Sequence, residues 1–565
     1  MRATTQLARL MKDYGAEHVF TLTGAPQEPL LTLKNELGVN IVLGHNERSV
    51  AFMADGYARQ SGKPTFTFVQ FGPGVTALAG GLSDAFWAHS PVVSLASALP
   101  TSQRHRFAYQ EVDQLAMMAP VTKWCGQVPA AARAPDMLQR AVIEAMSGVP
   151  GPTHVEIPLD LMVSDIGDQP QIAASERHRQ IPSARPIPES RDVEAAAKAI
   201  CEAERPVFLV GAGIGMSGAC PEFQALCERL AIPVLTTLAG KGVLADTHPQ
   251  VIGVAGTYSR KCANDVLAEA DLIVAIGTRL GAHPTVNYQH PQAGTKLVHI
   301  DLDPRIPGRN FPTVAALIGD ARAALNALSA AISEKDAKKR APARGKWLKS
   351  TQVRLVAWKE QFNKLAGIAM VEGRINPRHL MSVLDRFIGP DDALASDTGY
   401  SAGFAATMVD LKSAGRNFFR AYGSLGWGFP GAIGASLARK TGHVVCVTGD
   451  GGFCYHLTEI ETALRVGARP IIVVLNNSRL GFEYTMQKVF FGGSTDATQQ
   501  FRETNYAAIA NAYGAHGERV EKPEEILPAL RRSAASGKLA IVDVVTSPEV
   551  PAPYTGYEAV GAREI

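Results

Sequence analysis

Residues 444–482 read VVCVTGDGGFCYHLTEIETALRVGARPIIVVLNNSRLGF. Val444–Thr448 is an apolar, β-branched run of strand length that ends in Gly449-Asp450-Gly451-Gly452. A helically spaced stretch follows, and a second apolar run, Pro470–Leu475, ends in Asn476-Asn477. One helix and one returning strand fill the 27 positions from Asp450 to Asn477. The two strand ends then lie side by side on the edge where open α/β sheets bind ligands. A carboxylate and an amide oxygen converge there. Hard oxygen donors in that place suit Mg²⁺ or Ca²⁺ bridging to phosphate, and the glycines let backbone N–H groups approach phosphate oxygens.

The same alternation extends in both directions. From Thr4 to Leu161, helical patterns separate short runs at His18–Leu22, Ile41–Leu43, Thr65–Gln70, Val92–Ala96 and Thr153–Ile157. A proline-bearing polar stretch, 165–189, has no period and reads as a linker. A second block (PVFLVGAG, IPVLTT, DLIVAIG, KLVHIDLDP) begins at Arg205 and ends near Ile332, where the lysine-rich SEKDAKKRAPARGKWLKS reads as a solvated helical linker. The third block runs to about 547. The expected fold is α/β, with three doubly wound parallel-sheet domains at 1–165, 190–332 and 370–550 and a tail at 551–565.

Composition narrows the function. At 565 residues the chain is too long for a small binding module, and its 46% apolar content excludes wholesale disorder. Fifty-six basic against 53 acidic residues leave no broad basic face for nucleic acid. No apolar stretch reaches the length of a membrane span, and the N-terminus carries no export signal. Seven scattered cysteines without C-x-x-C spacing read as reduced thiols of a cytoplasmic protein. Glycine is the excess, 52 residues, much of it at the ends of apolar runs.

One glycine cluster resembles a dinucleotide loop: Gly213, Gly215 and Gly218 follow a strand and open a helix. The next strand, IPVLTT, ends in Thr236 and Thr237 rather than the acid that holds a ribose. Close strand-to-helix packing is therefore the expectation there.

The GDG…NN pair resembles the signature of thiamine diphosphate enzymes, and residues 444–482 look like the acetolactate synthase branch of that superfamily. The resemblance covers nearly the whole chain. It implies a pyrimidine-binding first domain, a central nucleotide-type domain and a diphosphate-binding third domain. It assigns the metal, Mg²⁺, to the Asp450 and Asn477 side chains and the Arg479 carbonyl. It places Gly399, Tyr400, Ser401, Gly423, Gly449, Gly451, Gly452, Gly481 and Phe482 against the cofactor, with Leu425 as the apolar wedge that bends it. In the first domain, HNERSVAFMADGYAR puts Glu47 at the pyrimidine, FGPGV puts Gly72 and Gly74 beside it, and LTGAP adds Gly24 and Ala25. YQEVDQ places Tyr109 and Gln110 at the substrate pocket, so Glu47, Tyr109 and Gln110 are the expected catalytic residues. Lys123 has a counterpart near the pocket entrance, with a solvated surface lysine as the alternative; His45, His105 and His456 are read as structural. The family's two cofactor-binding domains meet across a subunit interface, which implies a homodimer at minimum and commonly a homotetramer.

That family decarboxylates a 2-oxo acid such as pyruvate and passes the enamine to a carbonyl acceptor. A carboxylate at Glu47 suits it, because holding the distal ring nitrogen turns the cofactor's own amino group into a base. This chain departs at the acceptor pocket: LGFEYTMQ has Phe482 for a methionine and Met486 for a tryptophan, Asn46 precedes the glutamate, Tyr109 replaces a phenylalanine, and Ala25 and Pro26 stand for a glycine and an alanine. The alternatives are a 2-hydroxyacyl-CoA lyase or oxalyl-CoA decarboxylase, suggested by AGKGVLADTHP, and a non-catalytic cofactor-binding homologue. FAD or ADP in the central domain is a further expectation.

Overall fold

The computed structural model describes residues 2–24, 28–167, 172–493 and 496–556. It holds three six-stranded sheets, parallel throughout, with helices on both faces. The first comprises β1 (His18–Leu22), β2 (Asn40–Leu43), β3 (Thr65–Val69), β4 (Val92–Ala98), β5 (Trp124–Gln127) and β6 (Thr153–Pro158). The second comprises β7 (Pro206–Val210), β8 (Val234–Thr236), β9 (Val251–Val254), β10 (Leu272–Ile276), β11 (Lys296–Asp301) and β12 (Ala315–Ile318). After a small hairpin, β13 (Met370–Val371) and β14 (Arg374–Ile375), the third comprises β15 (Ala393–Ser396), β16 (Phe418–Arg420), β17 (Val444–Gly449), β18 (Ile471–Asn476), β19 (His516–Val520) and β20 (Ala540–Val545). Central strands such as β4 and β18 are buried at every residue, as expected when helices cover both faces.

The first and third sheets share one order, β2-β1-β3-β4-β6-β5 and β16-β15-β17-β18-β20-β19. In each, the chain reverses its winding between the first and third strands, and the C-terminal ends of that pair open a crevice. Gly24 and Gly72 follow β1 and β3; Gly399 and Asp450 follow β15 and β17. The middle sheet, β12-β11-β10-β7-β8-β9, has the dinucleotide-type order. Its glycine loop packs on the exit of β10: a Cβ on Gly213 would stand 2.7 Å from the Gly277 Cα, and the Gly213 N–H donates to the Gly277 carbonyl at 3.2 Å. Close backbone packing accounts for Gly213 and a positive φ of +65° for Gly218, whereas a Cβ on Gly215 would meet open space.

The first and third domains are joined by two crossing helices, Glu47–Ser61 and Gly428–Ala438. Gly56 backs directly onto the Gly431 carbonyl and Gly434 onto that of Met53, approaches that no side chain would permit. The lysine-rich segment is only half solvated. It continues into the helix Ala341–Ala366, which buries Trp347, Trp358 and Phe362 in the core while Lys346 and Lys349 face outward. At the C-terminal end, Tyr554 pairs with Tyr258, and the Thr555 N–H donates to the Thr257 carbonyl at 2.8 Å, strapping the third domain to the second. Residues 557–565 of the tail lie outside the described set. Among the described residues, no helix is long and apolar enough to cross a membrane. All seven cysteines are free.

Candidate active site

Neighbouring strands β17 and β18 deliver Asp450 and Asn476-Asn477 to one edge. The two asparagines then diverge. Asn476 turns inward, donating to Asp543 at 2.8 Å and to the Thr504 carbonyl at 2.9 Å. Ser478, at φ +57°, bends the chain so that Asn477 lines the cleft. Asp450 is buried and accepts N–H bonds from Gly451 (2.7 Å) and Ser478 (2.5 Å). Burial outweighs those bonds and pushes its carboxyl up to about 7.

The cleft encloses about 370 Å³. Every third-domain residue expected at the cofactor lines it: Gly399, Tyr400, Ser401, Gly423, Leu425, Gly449, Asp450, Gly451, Gly452, Asn477, Arg479, Gly481 and Phe482. Gly399, at φ +72°, starts the helix Tyr400–Met408, whose N-terminal end suits an anion. Tyr258 of the middle domain, Phe404 and Val550 supply apolar wall.

Asp397 organises this framework and was not singled out from the sequence. It is buried, and it accepts from the Thr398 N–H (2.7 Å), the Gly426 N–H (3.0 Å) and the Thr448 hydroxyl (3.0 Å), tying together three loops of the cleft. Burial raises its carboxyl to about 6. Its signal in the sequence is the acid two residues before Gly399 in SDTG.

The first domain builds a second constellation. Glu47 opens the helix Glu47–Ser61, capped by Asn46, whose side chain accepts the Arg48 N–H at 2.8 Å. That bond gives the asparagine departure a local reason. A Cβ on Gly74 would stand 3.3 Å from Glu47 Oε1, which sets the carboxylate against the glycine loop. Gly72, at φ +69°, leaves room for the Gln110 backbone: a Cβ there would stand 2.5 Å from the Gln110 carbonyl. Two glutamines overlooked in the sequence support this loop. Gln70 Nε2 donates to Gln110 Oε1 at 2.8 Å, and Gln114 Oε1 accepts the Gly72 N–H at 2.6 Å. Gly24 abuts the Gln70 carboxamide, and Ala25 lies outside the described residues. Tyr109 is not brought in; it projects outward, 83% exposed. Among the described residues, no first-domain residue lines the third-domain cleft.

Lys123 is an exposed surface lysine, but its ammonium is engaged rather than free in solvent. Its ammonium donates to the carbonyls of Glu144 (2.6 Å), Ser147 (2.8 Å) and Val149 (2.7 Å), closing the C-terminal end of the helix Ala134–Met146. His456 is buried, 2.6 Å from Ser49 Oγ across the domain junction, and burial lowers it to about 4. His45 meets Glu461 at 2.9 Å, and His105 lies on an exposed loop. Lys241 of AGKG is buried against Asp246 at 2.5 Å, its charge committed inside the fold.

Among the described residues, no three His, Cys, Asp or Glu side chains cluster as a metal site. The candidate donors at the β17–β18 edge are the Asp450 carboxylate and the Asn477 amide, whose Oδ1 accepts the Arg479 N–H at 3.0 Å; hard oxygens of this kind would suit Mg²⁺ better than a transition metal.

Three family models match the chain: the thiamine pyrophosphate enzyme N-terminal TPP binding domain over residues 1–117, the central domain over 193–328 and the C-terminal TPP binding domain over 397–544. A probable acetolactate synthase large subunit of Methanococcus aeolicus is 30% identical over 559 residues, covering 95% of this chain and 91% of the relative. The acetolactate synthase large subunit of Haemophilus influenzae is 29% identical, covering 94% and 92%. A probable 2-ketoarginine decarboxylase of Pseudomonas aeruginosa is also 29% identical, covering 96% and 94%.

Proposed function

The chain belongs to the thiamine pyrophosphate enzymes as an acetolactate synthase-like member, and from that premise we propose that it decarboxylates a 2-oxo acid and joins the remaining unit to a carbonyl acceptor. The observation that carries this reading is buried Asp450 beside Asn477, at the ends of adjacent strands in a glycine-framed cleft. In the proposed site, Asp450, Asn477 and the Arg479 carbonyl hold Mg²⁺. The glycine loops and the N-terminus of the helix Tyr400–Met408 receive a diphosphate, and Leu425 supports the ring. Glu47 holds a proton at the far ring nitrogen, and Gln110 faces the substrate. Thiamine diphosphate, when bound, supplies the electron sink for loss of carbon dioxide.

Because Glu47 does not line the cleft that holds Asp450, we read the working unit as a homo-oligomer in which two chains complete each site. Seven free thiols support a reducing, cytoplasmic setting. The dinucleotide-type strand order of the middle domain supports a nucleotide such as FAD or ADP there, which an absorbance spectrum and extraction of bound nucleotide would test. The acyl-CoA alternative rests on the AGKGVLADTHP segment, in which Lys241 is buried against Asp246.

The deciding experiment supplies Mg²⁺ and thiamine diphosphate and screens pyruvate, 2-oxobutyrate and larger 2-oxo acids for carbon dioxide and acyloin products. Release of both supports the reading; a protein that binds the cofactor yet consumes no 2-oxo acid would sink it.

A further inference from the structure

Three charged side chains line the third-domain cleft: Asp450, Arg479 and Glu483. Two are already engaged. Asp450 takes backbone N–H bonds and stands in the proposed metal set. The Arg479 guanidinium donates to Asp496 at 2.8 Å and lies 4.6 Å from the centre of the Tyr484 ring. Glu483 is exposed at the mouth of the cleft and has no hydrogen bond and no ion pair among the described residues.

Its placement is held from both sides along the helix Gly481–Phe491. Phe482 packs against Tyr554 (5.4 Å between ring centres), Tyr400 (6.0 Å) and Tyr258 (6.3 Å). On the other side, the Tyr484 hydroxyl and the Lys488 ammonium both donate to Glu549, at 2.6 and 2.7 Å. A position in the first helical turn and contact with solvent account for the charge, and its place on the lining leaves that charge available to a ligand in the cleft. It does not serve an anionic diphosphate, which it would repel. A free carboxylate beside an aromatic wall is the combination that recognises an organic cation, by charge-assisted hydrogen bonds and by attraction to the ring faces.

We propose that Glu483 is a specificity-determining residue that selects a 2-oxo acid substrate or acceptor whose side chain ends in a cation, an ammonium or a guanidinium. The proposal rests on the 2-oxo acid reading above, and its test is separable from that reading because it uses ligands that cannot react. 4-Guanidinobutanoate, 5-aminopentanoate and pentanoate lack the 2-oxo group, and their binding to protein loaded with Mg²⁺ and thiamine diphosphate is measured by calorimetry. Wild type should bind a cationic acid about tenfold or more tighter than pentanoate, and Glu483→Gln should bring that ratio to about one. The stronger of the two cationic ligands identifies the head group. Equal affinities in wild type, or a preference that survives Glu483→Gln, overturn the proposal whatever the substrate screen shows. A parallel kinetic comparison of 5-guanidino-2-oxopentanoate with 2-oxopentanoate should show the same change in the ratio of kcat/KM.

Discussion

Trp427 Nε1 donates to Asp55 Oδ2 at 2.8 Å across the junction of the first and third domains. Both residues are fully buried, and Asp55 also accepts from Arg59 (2.8 Å) and from the Ser90 hydroxyl (2.5 Å), while the Arg59 guanidinium lies 4.5 Å from the indole centre. Removing the carboxylate strands a buried cation. Asp55→Asn should therefore cost about 3 kcal/mol, and Trp427→Phe, which removes one donor, about 1 kcal/mol. Denaturant unfolding of both variants checks the order; a milder Asp55→Asn would show that the charge is not what holds the junction.

Glu47→Gln keeps the size of the side chain and removes the carboxylate. Cofactor binding should persist, while exchange of the thiazolium C2 proton slows by on the order of 100-fold. NMR of the bound cofactor reads this directly, and an unchanged exchange rate would remove Glu47 from the proposed role.

Cation binding should follow the ionisation of Asp450. An ordinary aspartate titrates near 3.8, whereas burial holds this one protonated up to about 7. Between those values the folded, metal-free protein keeps a proton that the unfolded chain has lost, so this group's contribution makes the metal-free fold less stable as pH rises through the window. Mg²⁺ bound as proposed would have the opposite effect, since it would bind the ionised form. Stabilisation by Mg²⁺ should be large at about pH 8 and small at about pH 6, and Asp450→Asn should abolish the difference. Melting curves with and without Mg²⁺ across that range provide the check.

Lys123→Met should cost about 1–3 kcal/mol, because three carbonyls lose a charged donor. Turnover per folded molecule should stay at the wild-type value. A lowered kcat with an unchanged melting temperature would return Lys123 to the pocket.

What could be read in advance followed the strength of the local signal. Strands such as Val92–Ala98 and Ile471–Asn476 are buried on both faces and announce themselves as apolar runs. Trp124–Gln127 and His516–Val520 are half-buried edge strands without such a run, and the sequence reading passed over them. The lining of the third-domain cleft was legible because Gly399, Asp450 and Asn477 belong to short contiguous motifs. Asp397, Gln70 and Gln114 escaped because their work lies in bonds to residues distant in the chain: Asp397 to Gly426 and Thr448, Gln70 to Gln110, Gln114 to Gly72. The lysine-rich helix was half legible, since its charged face is patterned in the sequence while the burial of Trp347 and Trp358 depends on domains that the segment itself does not contain.

The separation of Glu47 from the cleft of Asp450 has a genetic corollary. If each site borrows Glu47 from one chain and Asp450 from another, two inactive proteins can rescue one another. In a mixed dimer of Glu47→Gln and Asp450→Ala chains, both lesions fall in the same site and the other site is intact. Co-expressing the two variants should then restore roughly half the activity per mixed dimer, whereas a site built within one chain would leave every combination dead.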